Sequence, residues 1–134
     1  VEESEEELQQ MGVDLMLLAS GSGDGHVAFN APGTPFDSWT RIVELPESTR
    51  RDNLATYPHF ADLKAVPRTA VTLGISSIVN ASRDCIMVAA GPVKKPALNH
   101  LSALDSYQSS WPATVVAACR GGRLYTDAAT TAGS

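Results

Sequence analysis

From Val13 to Ser20 the chain is a nearly continuous apolar run that ends at a cluster of glycines. Its shortness and flanks predict a strand buried on both faces of a parallel sheet. Ahead of it, Ser4 and Glu7 stand at capping-box spacing with Glu5 and Glu6 beside them, which predicts a helix start, and Gly12 marks its end. Arg41 to Leu45 alternates as a short strand does, whereas Ser48 to Tyr57 is polar with a helical pattern that Pro58 ends. Thr69 to Leu73 reads as another buried strand, Ile75 to Ala81 as a short helix, and Cys85 to Ala90 as an apolar strand closed by Gly91. Val93 to Leu104 then carries Leu98, Leu101 and Leu104 along one helical face, with Pro92 and Pro96 confined to its start. Val115 to Ala118 is a further apolar segment and Leu124 to Thr126 a last short strand. Between them, Arg120 and Arg123 flank Gly121-Gly122 in what reads as a hairpin turn, with an anion contact as its second reading. Residues 127–134 are small and polar, and a frayed tail is expected there.

Short strands alternating with helices predict an α/β fold, Rossmann-like and doubly wound, with a mostly parallel sheet flanked by helices. No repeat or linker divides the chain, so residues 1–134 are read as one domain. At this length roughly two-thirds of the unfolded surface can be buried, enough for a core without disulfides or a structural metal.

Charge narrows the partners. The formal net charge is −5, and five of the acidic residues (Glu2, Glu3, Glu5, Glu6 and Glu7) crowd the amino terminus. Arg50-Arg51 and Lys94-Lys95 are local pairs rather than a basic stripe, so neither nucleic acid nor a membrane surface is expected as a partner. Cys85 and Cys119 lie far apart, with no C-x-x-C and no histidine at ligand spacing; they read as buried, reduced thiols, and no metal is expected. With no apolar run of membrane-spanning length and an acidic amino terminus, the expected compartment is the cytoplasm. His59 lies in a Tyr-Pro-His-Phe turn and His100 on a helix surface, both without ligand partners, and Trp39 and Trp111 read as packing residues.

The segment that can carry chemistry is Ser20 to Gly33, SGSGDGHVAFNAPG. It follows a strand directly, and in open α/β sheets ligands lie beyond the carboxyl ends of the strands. Its glycines match neither G-x-G-x-x-G nor a Walker A loop, so nucleotide binding is not supported. Asp24 two residues before His26 suits a carboxylate that orients an imidazole for acid–base work. The same residues also suit a glycine-rich turn in which Asp24 caps backbone N–H groups and His26 packs beside the sheet. Phe29 and Asn30 read as residues that seal the loop.

The run D-G-H-x-A-F-N-x-P-G resembles the signature of the glucosamine-6-phosphate deaminase/isomerase family. The likeness extends through Asp37 to Leu45 (DSWTRIVEL), Ser48 to Asn53 (STRRDN), Val66 to Gly74 (VPRTAVTLG), Gly91 with Lys94, and Trp111 to Thr114 (WPAT). It covers nearly the whole chain and corresponds to the carboxyl-terminal part of the family fold. The resemblance implies an aldose–ketose isomerase and deaminase of an amino sugar 6-phosphate, without a cofactor. In it His26 is catalytic and opens the sugar ring with Asp24 in support. Lys94 binds the substrate phosphate, with Gly23 and Gly25 in the substrate loop.

Two positions depart from the pattern. Ala31 stands where deaminases carry an acid that partners the histidine, and Ala55 stands where the resemblance places a phosphate-binding arginine, a role for which Arg50 or Arg51 is the nearest substitute. In the family a further amino-terminal half supplies a phosphate loop and the aspartate that moves the C2 proton. The alternatives are therefore a paralogous sugar-phosphate isomerase, a 6-phosphogluconolactonase, or an inactive sugar-phosphate-binding domain or fragment. Some family members are hexamers, which leaves a homo-oligomer among the expectations.

Overall fold

The computed structural model describes residues 1–103 and 105–132. Leu104, expected on the helical face after Val93, and residues 133 and 134 of the tail lie outside the described residues.

Helix α1 (Glu2–Met11) ends at Gly12, as the sequence suggests, but Ser4 lies inside the helix, Val1 occupies the N-cap position, and no side chain caps it. Glu5 instead accepts a hydrogen bond from Ser77 Oγ at 2.9 Å, docking α1 onto α3 (Ile75–Ala81). The principal sheet contains β1 (Met16–Ala19), β4 (Cys85–Ala89) and β5 (Arg123–Thr126), all parallel in the order β1-β4-β5. The remaining strands, β2 (Arg41–Glu44) and β3 (Thr69–Thr72), form a separate antiparallel pair. Between them lies α2 (Glu47–Thr56). The fold is thus α/β with a parallel sheet flanked by helices, to which an antiparallel ribbon is added.

Register explains the core. Leu18 is level with Met87 and Met87 with Leu124, so these side chains share one face with Cys85. That face is covered by Ile75 and Ile78 of α3, by Ala97 and Leu101 of α4 (Lys95–Ser102), and by Val115 and Val116 of α5 (Val115–Ala118). Burying each large aliphatic side chain there contributes about 1.5–3 kcal/mol. The other face carries Leu17, Ile86, Val88 and Tyr125, and it is bare: Leu17 is 65% exposed, Tyr125 52% and Val88 44%. The two-sided burial expected for β1 is therefore one-sided. The buried strand expected at Thr69 to Leu73 has only Thr72 buried among its strand residues, because β3 pairs with β2 outside the main core.

Three smaller expectations also change. Arg120 to Arg123 is not a hairpin turn: it joins α5 to β5, which runs parallel to β4. Trp39 is largely exposed, unlike Trp111, which lies in the core. Within the tail expected to fray, residues 128–131 form α6 (Ala128–Thr131), capped by Asp127 through Thr130 N–H at 2.9 Å, with Thr130 fully buried.

Candidate functional site

Beyond β1 the chain turns sharply, and Gly21 N–H donates to His26 C=O at 2.7 Å. One carboxylate oxygen, Asp24 Oδ1, receives both the His26 backbone N–H at 3.1 Å and the ring nitrogen Nδ1 at 2.8 Å. An ionised carboxylate only accepts, so Nδ1 is the donor, and in the neutral ring Nε2 then carries the lone pair. The pair is accessible without being fully solvated: the His26 side chain is 18% exposed and that of Asp24 29%.

Two glycines make this geometry possible. A Cβ on Gly21 would lie 2.3 Å from His26 Nδ1 and 2.4 Å from Asp24 Oδ1, so any side chain there displaces the pair. Gly25 has φ +73°, and its Cβ would lie 2.2 Å from Cδ2 of Trp111. Gly23 meets nothing within 4 Å.

His26 lines a cleft of about 940 Å³ along the free edge of β1, where Gly21, Ser22 and Lys94 share its wall. Of the residues expected to bind substrate, Lys94 is brought to the site: the turn Pro92–Lys94 beyond β4 carries it, and its Nζ donates to Ser20 C=O at the root of the loop. Gly23 and Gly25 belong to the same loop, but the cleft wall is made by Gly21 and Ser22. Arg50 and Arg51 are placed elsewhere. Arg50 Nη2 donates to the carbonyls of Leu63 (2.6 Å) and Val66 (3.2 Å), pinning a turn, and exposed Arg51 pairs with Glu47 one helical turn away. The face of α2 that meets the cleft instead presents Asp52, Asn53, Ala55 and Thr56. Ala55 thus stands on the cleft wall, and neither neighbouring arginine replaces the charge it lacks.

The loop's far end rests on Asn30 and Phe29, the two residues read from the sequence as sealing it. Asn30 is completely buried; its Nδ2 donates to Val27 C=O (3.1 Å) and Leu73 C=O (2.8 Å), and its Oδ1 accepts from Arg41 (3.0 Å). Phe29 N–H donates to Thr72 Oγ1 at 3.1 Å. Immediately before these anchors Ala28 is held at φ +50°, a conformation a non-glycine residue adopts only when its surroundings enforce it. A polar residue after the histidine was the available signal for Asn30; its partners, far away in the chain, carried none.

Fold and site together define a Rossmann-like α/β domain that gathers a carboxylate-oriented imidazole and a lysine at the carboxyl ends of parallel strands. No family model matches the chain. Glucosamine-6-phosphate deaminase of Exiguobacterium sp. is 40% identical over 126 residues, covering 93% of this chain and 47% of that protein. The enzyme of the same name from Lysinibacillus sphaericus is 48% identical over 90 residues, covering 67% of this chain and 36% of its own. A solved structure of a monomeric glucosamine-6-phosphate deaminase of the NagB superfamily superposes with a TM-score of 0.85 at 29% identity, over 97% of this chain and 52% of that one. A 6-phosphogluconolactonase from Leishmania guyanensis shares the fold at a TM-score of 0.58 and 23% identity, over 91% of this chain and 42% of that one. The chain belongs to the glucosamine-6-phosphate deaminase/isomerase family. It spans about half the length of the curated relatives it matches, which fits the carboxyl-terminal portion of that family.

Proposed function

We propose that this chain carries the ring-opening half of an amino-sugar-6-phosphate isomerase/deaminase site. The observation that supports it best is the 2.8 Å contact between His26 Nδ1 and Asp24 Oδ1 on the wall of a cleft that also holds Lys94. Asp24 fixes the imidazole with Nε2 as a base. Nε2 takes the proton of the anomeric hydroxyl and returns it to the ring oxygen, and the sugar opens to its aldehyde form. Lys94 supplies charge and rotatable donors for the 6-phosphate. The following proton transfer at C2, and release of the amine as ammonia, draw on the portion of the family fold outside these 134 residues. A charged sugar phosphate does not cross membranes unaided, which supports a cytoplasmic activity.

Calorimetric titration of glucosamine 6-phosphate, beside an NMR measurement of its anomer exchange, tests the reading on this chain and on His26→Ala. Saturable binding, with the acceleration of ring opening reduced by about 10²–10⁴-fold in the variant, is the expected result. Binding without accelerated ring opening by either protein would favour a sugar-phosphate-binding domain, a reading that Ala55 on the cleft wall supports. Absence of binding would overturn the proposal for the isolated chain.

A further inference from the structure

The residue between acid and base, Gly25, is held from behind. The built Cβ position at Gly25 is 2.2–2.4 Å from Cδ2, Cε2 and Cγ of Trp111. Cδ2 has all three of its bonds in the ring plane, so an atom that close to it approaches through a face of the indole. His100 stacks on the same indole, with centroids 3.9 Å apart and planes 12° from parallel. The two neighbours cannot share a face, so the indole lies between Gly25 on one side and His100 on the other. Immediately beyond Trp111, Ala113 N–H donates to Gly25 C=O at 2.9 Å. Trp111 is buried in the core with Val115 and Ala97, yet its Nε1 has no partner among the described residues. A buried indole ordinarily satisfies that group. Ring contacts, then, hold this side chain in place.

From this we infer that Trp111 is a positioning residue for the Asp24–His26 pair, an inference that rests on the reading of His26 as the site's acid–base group. The peptide units joining Asp24 to His26 meet at Gly25. With the indole beneath Gly25 and the Ala113 amide on its carbonyl, these units have one resting place. In that place Asp24 Oδ1 meets both the amide and Nδ1 of His26. Removing the indole leaves the Gly25 backbone free to sink toward the core. The bidentate contact, which depends on the orientation of two successive peptides, opens. His100 covers the outer face of the indole and keeps it from swinging out.

Nitrogen-15 NMR of the histidine side chains in the full chain tests this without an activity readout, with His26 assigned by the loss of its signals in His26→Gln. In the unaltered protein the neutral His26 ring is expected as the Nδ1–H tautomer, because Asp24 accepts that proton. Trp111→Leu is expected to shift the tautomer ratio toward Nε2–H by about tenfold, the change that loss of one charge-assisted hydrogen bond produces. Trp111→Phe, which keeps an aromatic face under Gly25, is expected to restore the Nδ1–H form. Gly25→Ala approaches the contact from the other side and serves if Trp111→Leu does not fold; it is expected to give the same shift. A folded Trp111→Leu or Gly25→Ala protein with the unaltered ratio would overturn the inference while leaving the proposed function intact. An unaltered protein without the Nδ1–H form would overturn both.

Discussion

Asn30 and Arg41 meet through a 3.0 Å hydrogen bond, from the guanidinium Nη1 to the carboxamide oxygen, that joins the end of the His26 loop to the first strand of the antiparallel ribbon. The ribbon thereby acquires a purpose: packed outside the main core, it holds the loop's far end while β1 holds the near one. Asn30→Ala removes a completely buried carboxamide and leaves Val27 C=O, Leu73 C=O and the Arg41 guanidinium each with one partner fewer. A loss of about 2–3 kcal/mol in unfolding free energy is expected, read as a lower urea midpoint at an unchanged slope.

The glycines of the loop are not equivalent. Gly21→Ala places a methyl group where His26 Nδ1 and Asp24 Oδ1 lie and is expected to abolish sugar-phosphate binding, whereas Gly23→Ala, with nothing within 4 Å, is expected to bind as the unaltered chain does. Parallel calorimetric titrations of glucosamine 6-phosphate into the two variants check this contrast.

Charge on the cleft wall sets affinity. Lys94→Met is expected to weaken glucosamine 6-phosphate binding by about tenfold or more, since hydrogen bonds to charged groups contribute roughly 1.5–3 kcal/mol. Ala55→Arg, which adds a cation to the same wall, is expected to tighten it by a similar factor. Arg51→Ala, on the exposed side of α2, is expected to change it little. Dissociation constants at two salt concentrations test all three, and the gain from Ala55→Arg should shrink at high salt.

Asp127 gives α6 a pH dependence. Hydrogen bonds from the Thr130 hydroxyl, then from the Thr130 and Gly91 amides, hold its carboxyl below the usual aspartate value. A carboxylate depressed in the folded state stabilises it fully above the unfolded-state value, and that contribution is lost as the pH falls through the folded-state value. The protection factor of the Thr130 amide is therefore expected to hold at neutral pH and to fall only below about pH 4, near the ordinary aspartate value. In Asp127→Asn this fall with acid is expected to vanish.

The bare face and free edge of β1 predict self-association. Neither a lysine nor a proline guards Met16 to Ala19, and an unguarded apolar edge is a template for pairing. Leu17→Lys is expected to shift sedimentation profiles toward monomer without lowering thermal stability, because Leu17 contributes little to the core.

Much of the architecture was legible because local signals agreed. Ile75 to Ala81 is a helix with the bounds its flanking residues suggested, and Cys85 opens a strand as its apolar run implied. The pairing of Asp24 with His26 was legible for the same reason: the partners are two residues apart. What escaped the sequence was contact at a distance. The run at Val13 to Ser20 says that a strand seeks cover on two sides but not whether this chain provides it, and one side lies open. Arg50 and Arg51 looked interchangeable as phosphate ligands, yet successive helical positions point apart, one to the Leu63 turn and the other to solvent. Nothing near Gly25 announced that an indole far along the chain would lie against it.

The parallel pairing of β1 with β4 also sets the order in which the molecule can be made. Met16 lies level with Cys85, so the pairing closes a loop of about seventy residues before any ladder bond rewards it, and long-range closures of this kind slow folding. The Asp24–His26 loop lies inside that span. During synthesis it leaves the ribosome well ahead of β4 and longer still ahead of Trp111, and its acid–base geometry waits on residues not yet translated.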